Sequence, residues 1–333
     1  MSSGGKNLKG VHALWMLTGA LACVLLTLVS PVAAQDNYPA SPVRMVVGFP
    51  PGGAVDVVAR LLAQKLSAQM NANVFVENKP GAGGNIGAEF VVKSKPDGYT
   101  LLIHGAPVIF SIAMGEKVSY DLLKDLAPVA LVASAPNIIV VHPSVAANTV
   151  GEFIAYVKAN PDKLAYGSAG SGSFSHLAPL LFLQSNGLIA LHVPYKGTAP
   201  ASLDLVAGRT QFGMVDVASV LPLVKDKRVK ALAVTSLKRL PLLPAVPALA
   251  ETIPGSEIVN WYGIRVPANT PRAVVQKLNG EIVKALQDTD LLSKLLDNGI
   301  LTLGSTPEAY ETYLKSELER WGKLIRSAGV KAE

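Results

Sequence analysis

The chain has 333 residues and one cysteine, Cys23. That count excludes a disulfide framework and a thiolate metal site. Thirty basic and 24 acidic side chains leave a net charge of only +6, too slight an excess to imply nucleic acid. No basic stripe interleaved with aromatics is present either, so no nucleic-acid partner is expected. Beyond residue 34 no apolar run is long enough to cross a bilayer. His104, His142, His176 and His192 lack ligand spacing, so no metal is expected. No Walker lysine is present, and Gly81-x-Gly83 has Ile86 where a dinucleotide fingerprint needs its third glycine. No cofactor is expected.

The first 34 residues read as an export signal. Lys6 and Lys9 give a positive start, residues 13–30 are largely apolar, and Val32-Ala33-Ala34 is a small-residue cleavage site. An uncleaved anchor is the alternative, but the apolar stretch is short for a span. Cleavage near Ala34 predicts a periplasmic mature chain starting near Gln35, without cysteine and at +4 once Lys6 and Lys9 are gone. About 300 residues suffice for two domains with separate cores.

From residue 43 to about 236, short apolar runs alternate with helical ones. Strands are expected at 43–47, 74–77, 100–104, 128–132, 138–141, 164–167, 190–194, 211–215 and 231–235. Continuous rather than alternating hydrophobicity suits parallel strands covered on both faces, which makes this an α/β pattern. Thr149 with Glu152 forms a capping box for one helix, and Thr198 is the expected N-cap of another. Residues 241–254 are proline-rich and read as a surface connection. Helices follow residue 266, opened by Thr270-Pro271 and Thr306-Pro307. One domain thus runs to about residue 135 and a second from 136 to 259.

Two glycine-rich loops stand at early strand-to-helix junctions. One is Phe49-Pro50-Pro51-Gly52-Gly53-Ala54-Val55-Asp56, the other Pro80-Gly81-Ala82-Gly83-Gly84-Asn85-Ile86-Gly87. Glycine lets backbone N–H groups approach a ligand, and a helix N-terminus adds partial positive charge, so such loops suit anions. A third lies at Gly167-Ser168-Ala169-Gly170-Ser171-Gly172-Ser173, and Tyr195-Lys196-Gly197-Thr198 repeats the placement. Open α/β sheets bind ligands at these carboxyl ends of strands, and two such edges face to face make a cleft. Ordinary turn chemistry also favours Gly and Ser, so no single loop decides the matter.

Asp56 and Asp216 are the acids nearest the expected ligand-facing ends. Asp56 lies in a first helical turn, where a carboxylate suits the dipole by itself; either residue also suits a ligand ammonium group. Ser173 with His176 invites a serine esterase. None of Ser168, Ser171 or Ser173 fits G-x-S-x-G, so no catalytic residue is assigned and no enzyme is expected.

These segments resemble, in order, one receptor family. They are Phe49-Pro50-Pro51-Gly52-Gly53 with Asp56, Glu77–Gly87, Pro96-Asp97-Gly98-Tyr99-Thr100, Tyr166-Gly167-Ser168 with His176, His192–Gly197, and Trp261-Tyr262-Gly263 before Pro267–Pro271. The chain resembles Bug-type receptors, the extracytoplasmic solute-binding proteins of tripartite tricarboxylate transporters. The resemblance implies a periplasmic-binding-protein fold of type II, with two α/β lobes, a ligand cleft between them and two crossover strands. It divides the chain into signal peptide 1–34, lobe I from 35–135 plus 260–333, and lobe II from 136–259. It implies a small carboxylate as ligand, namely a dicarboxylate, an amino acid or an aromatic acid. The membrane partner would be the transporter's permease subunits or a sensor kinase, and the receptor a monomer. The ligand contacts it implies are Gly53, Ala54, Gly84, Asn85, Ser168, Ser171, Ser173, Tyr195, Lys196 and Asp216. Ala54 and Val55 stand where the family often carries a small hydroxyl residue, which favours a dicarboxylate or a monoacid with an apolar body over a tricarboxylate.

Overall fold

The computed structural model describes residues 38–331; the export signal expected over 1–34 lies outside them. The first strand, β1 (Val43–Val47), is buried almost throughout. It leads into α1 (Ala54–Met70), whose Val55, Val58, Ala59, Leu62 and Leu66 recur at helical spacing and are buried. Then come β2 (Val74–Asn78), a 3₁₀ turn (Ala82–Gly84) and α2 (Asn85–Val92), followed by β3 (Thr100–Gly105) and α3 (Ala106–Ala113). β1 is central here, parallel to both β2 and β3.

The next strand, β4 (Leu126–Val141), spans 16 residues. It is followed by α4 (Val150–Ala159), β5 (Ala165–Ser168), α5 (Phe174–Ser185), β6 (Leu191–Pro194), α6 (Thr198–Val206), β7 (Phe212–Asp216), α7 (Val217–Lys225) and β8 (Lys230–Val234). On α4 the Thr149 half of the expected capping box forms, Glu152 N–H donating to Thr149 Oγ1, while the Glu152 carboxylate accepts from Asn148 N–H, one residue before the cap, instead of from Thr149 N–H. On α6 the cap is Gly197 rather than Thr198; its φ of 113° turns the chain at a conformation a side chain would resist. A short α8 (Leu249–Thr252) interrupts the proline-rich connection before β9 (Val259–Pro267). The chain ends with α9 (Arg272–Ala285), α10 (Thr289–Asp297), β10 (Leu301–Thr302) and α11 (Pro307–Ala328). Thr306 caps α11 as its sequence predicts, accepting from Ala309 N–H. At α9 the cap is Pro271, because the Thr270 hydroxyl donates back to the Pro267 carbonyl.

β4 is where the sheet differs from expectation. The sequence predicts two strands broken near Ser134–Asn137, and the structure has one. Its first part pairs with β9, as far as Pro136 opposite Val259. Its last part pairs with β7 on one side and β8 on the other. The polar, proline-bearing break marks a change of neighbours, not a turn. Pro136 has no N–H to give, and the Asn137 N–H goes to the Thr235 hydroxyl at 2.8 Å. β4 and β9 also run antiparallel to their partners, whereas β5 is parallel to β6 and β7. Both central strands are apolar and buried, so hydrophobicity reports their burial but not their direction.

α11 packs on α3 and β4, and α9 on α1 and β4, so the C-terminal helices cover the half of the sheet built on β1. α11 presents Tyr310, Leu314, Trp321 and Ile325 to the core. Glu317, on the same buried face, accepts from the indole N–H groups of Trp261 and Trp321 at 2.9 Å each. Arg320 pairs with its other oxygen at 2.9 Å. A buried carboxylate needs such donors, and here they tie the helix to β9.

His104 lies in the same layer, buried, with Nε2 2.7 Å from the Tyr310 hydroxyl. Burial, then the Arg265 charge, lowers its pKa from 6.5 to about 3. Between those values the unfolded chain holds a proton that the folded chain does not, so stability falls as pH drops. The expected slope from this site is about 1.4 kcal/mol per pH unit. Urea titrations of the wild type and of His104→Gln between pH 7 and pH 4 test this; parallel curves would remove His104 as the source.

Candidate functional site

Helices α1, α3, α5, α6 and α7 each begin at or beside the carboxyl end of a strand. Their N-termini meet around a cavity of about 620 Å³. The cavity is walled by residues 49–55 from the β1 side and by Gly167–Ala169 and Ser173–Ser175 from the β5 side. The end of β7 and the start of α7, with Phe212, Gly213 and Val215–Ser219, form another wall, with Ala135–Asn137 from the last part of β4 between them. Asn298–Ile300 closes one side. The halves approach closely there: a Cβ on Gly299 would lie 2.8 Å from Val217 Cγ1, and one on Gly172 2.6 Å from Met114 Cε.

At α1 the first residues line the cavity, and among the described residues their amides have no hydrogen-bond partner. The first intrahelical bond is made by Asp56 N–H to the Gly53 carbonyl, so the Ala54 and Val55 amides precede it. α5 repeats the pattern. His176 and Leu177 N–H both reach the Ser173 carbonyl, leaving the Phe174 and Ser175 amides ahead of the ladder. Among the described residues no lysine, arginine or histidine is on the wall, and the one charged side chain is Asp216. The chemistry on offer is anion binding by fixed amide dipoles within a largely apolar enclosure.

Gly53, Ala54, Ser168, Ser173 and Asp216 are on the wall. Asp56 stands behind the first loop instead. Its carboxylate accepts from Gly52 N–H at 2.9 Å, from Asn78 Nδ2 at 2.8 Å and from Arg60 Nε at 2.8 Å. Asn78 also donates to the Phe49 carbonyl, so the pair grips the loop at both ends. Burial pushes the Asp56 carboxyl up, but the hydrogen bonds from Arg60, Gly52 and Asn78, with the Arg60 charge, hold it below its ordinary value.

The second loop lies off the wall. Asn85 is buried, donating to Ser111 and Glu116 and accepting from the Tyr120 hydroxyl. Gly84 is a packing glycine: a Cβ on the facing Gly48 would lie 2.6 Å from the Gly84 carbonyl oxygen. Ser171 and Lys196 are exposed, away from the wall. Tyr195 is also off it, donating to Asp204 at 2.7 Å. Burial and that bond push its pKa up to about 12.

The third loop has few donors left. Ala169 N–H donates to Ser175 Oγ, Gly170 N–H to Ser168 Oγ, and Gly172 N–H to His176 Nδ1. Ser168 Oγ also contacts His192 Nε2 at 2.6 Å and the Gly170 carbonyl at 3.1 Å, which fills the capacity of a hydroxyl. Ser173 Oγ donates to the Gly170 carbonyl at 2.6 Å. The serines shape the loop, and the helix start behind it presents the amides.

Sequence reasoning missed the contributions of β4, β9 and the 298–300 turn. Asn137, Asn260 and Tyr262 line the cavity. Burial, followed by the Asp216 charge, raises the Tyr262 pKa well above its usual value, so this hydroxyl keeps its proton. The only signal for these residues was the Trp261-Tyr262-Gly263 motif.

The family model for the tripartite tricarboxylate transporter family receptor, TctC, matches residues 58–330. The chain belongs to this family. Protein BugT of Bordetella pertussis is 34% identical over 305 residues, covering 91% of this chain and 93% of BugT. Among solved structures, the periplasmic binding protein BugD superposes with a TM-score of 0.72 at 35% identity, over 89% of this chain and 100% of BugD. Rpa4515 of R. palustris, solved with adipate, gives 0.75 at 33% identity, over 89% of this chain and 99% of its own. The fold is thus the α/β periplasmic-binding-protein fold, in a family of receptors rather than enzymes. Among the described residues no helix is long and apolar enough to cross a membrane.

Replacing Asp56 by Ala should cost about 1.5–3 kcal/mol, because the Gly52, Asn78 and Arg60 donors lose a charged acceptor. Its folded pKa is depressed, so its stabilisation is complete above the unfolded value and lost as pH falls through the folded one. Asp56→Asn should therefore flatten the acid limb of the urea midpoint below pH 4. An unchanged midpoint in Asp56→Ala would show that the loop holds its shape without this clamp.

Proposed function

We propose that this chain is a periplasmic receptor that closes on a small organic carboxylate and presents it to the permease of a tripartite tricarboxylate transporter. The observation that carries this reading is the wall itself: unused amides at the starts of α1 and α5 converge on one cavity without a basic side chain. Fixed N–H donors stabilise a carboxylate without the desolvation cost of a buried lysine. Much of the remaining wall is apolar, including Phe49, Val55, Phe174, Leu205, Val215 and Ile300. That suits a dicarboxylate or a monoacid with an apolar body, and the relative solved with adipate is in keeping with it. The lobes would be residues 35–135 with 260–333, and residues 136–259, hinged where β4 and the segment before β9 cross between them. Closure would replace water around the acid by the amides of both halves, and the closed form would be the one the permease reads. The receptor would act without turnover, as a monomer.

A panel of carboxylates and their uncharged amides, screened by thermal shift, tests this. A ligand at 100 times its Kd should add about 2.7 kcal/mol and raise Tm by a few degrees, while the matched amide does nothing. Citrate binding well above the simpler acids would argue against the apolar-body expectation. The grip of the first loop is tested at Gly53, where φ is −77° and an added Cβ meets nothing within 4 Å. Gly53→Trp should fold normally and lose at least tenfold in affinity for the acid the panel identifies. Unchanged affinity would remove this loop from the binding site.

A further inference from the structure

The cavity is longer in one direction than a small diacid requires. Helix α6 contributes Thr198, Ala201, Ser202 and Leu205, spaced i, i+3, i+4 and i+7, which is a single stripe of the helix. At ~1.5 Å per residue that stripe is about 10 Å long. β7 contributes Phe212, Gly213, Val215 and Asp216, about 13 Å at the rise of a strand. A helix and a strand thus border one slot of similar length. A Cβ on Gly167 of β5 would lie 3.4 Å from the Ala201 Cβ, so α6 is seated on β5 and the open space lies over β7. Gly213 stands part-way along it. Its φ lies outside the left-handed region, so the backbone does not require glycine there. An added Cβ would come no closer than 3.5 Å to Val215 Cγ2, so the packing does not require it either. Glycine inside a strand weakens it and marks a place where something else approaches the backbone. Thr210, just before β7, ends the slot. It is buried, and among the described residues its hydroxyl has no hydrogen-bond partner.

Space over a glycine, an apolar flank and a buried hydroxyl at the far end describe a chain, not a compact acid. Resting on the receptor reading above, we propose that the ligand is a linear acid of medium chain length whose far end carries a hydroxyl, and that Gly213 and Thr210 select its length and its terminus. A slot of this length takes roughly eight to ten carbons, each adding ~1.25 Å to an extended chain of ordinary bond lengths and angles. The carboxylate stays with the helix-start amides, and the methylenes lie against Gly213, Val215 and Leu205. The far hydroxyl pairs with Thr210, since each can donate or accept. A second carboxylate at that end would exchange its hydration for one hydroxyl, which disfavours the diacid of the same length.

The experiment measures Kd by calorimetry on the purified protein, after unfolding and refolding to strip any carried ligand. The probes are butanoate, hexanoate, octanoate and decanoate, their ω-hydroxy forms and the diacids of the same lengths. Affinity should rise about fourfold for each added methylene until the slot is full. The ω-hydroxy acid of that length should then bind tenfold or more tighter than the plain acid and the diacid. Gly213→Val puts two methyl groups into the slot and should cancel the gain with chain length. Ala201→Leu narrows it from the helix side and serves if the strand variant does not fold. Thr210→Val should erase the preference for the hydroxyl. Butanedioate or hexanedioate bound as tightly as the ω-hydroxy octanoate and decanoate overturns this inference and leaves the receptor reading standing. So does a gain with length that survives in both slot variants, or a hydroxyl preference that is absent or survives in Thr210→Val. Binding of none of these acids by well-folded wild type overturns the inference together with the reading it rests on.

Discussion

β4 is shared by both halves of the sheet. Its first part completes the sheet built on β1, and its last part anchors β7 and β8. A strand must keep its hydrogen-bond partners along its whole length, so the place where β4 changes neighbours is fixed at Pro136-Asn137. Those residues line the cavity because the two halves diverge there. The cleft exists because one strand serves two sheets, and the helix starts of each half then face the same space.

Around that space the decisive quantity is the number of backbone donors left unused. Every α-helix begins with amides that have no partner in the helix, and side chains or neighbouring loops satisfy many of them. Here the Gly52 amide belongs to Asp56, and most amides of the 169–173 loop belong to Ser175, Ser168 and His176. At α7, Asp216 supplies the cap. Among the described residues, the first amides of α1 and α5 are among those that remain open. The glycines and serines around them are mostly builders of geometry. They hold turns that place the helix starts at the cavity wall.

Much of this was legible in the chain. Continuous apolar runs marked the strands, and the capping signals at Thr149 and Thr306 were read correctly. The glycine loop at 49–53 was placed at the cavity. The loop at 80–87 looked equally suited to an anion, yet Gly84 and Gly87 pack against Gly48, and Gly83 against Ser111. The same residue type permits close approach by a ligand or by the protein's own backbone, and a local pattern cannot tell the two apart. Asp56 illustrates the same limit. Its place in a first helical turn was evident, but its partner Asn78 lies 22 residues away on another strand.

The sequence by itself determined the α/β alternation, the family and the carboxyl-end loops from which a binding site could be built. These follow from hydrophobic period, turn chemistry and ordered motifs, all of which are local. The tertiary structure decided that β4 is one strand, that β4 and β9 run antiparallel, and that Asn137, Asn260 and Tyr262 join the wall. It also decided which loop amides stay open and which are used internally. The reason is common to all of these: pairing direction, neighbour identity and hydrogen-bond satisfaction depend on groups brought together from distant parts of the chain.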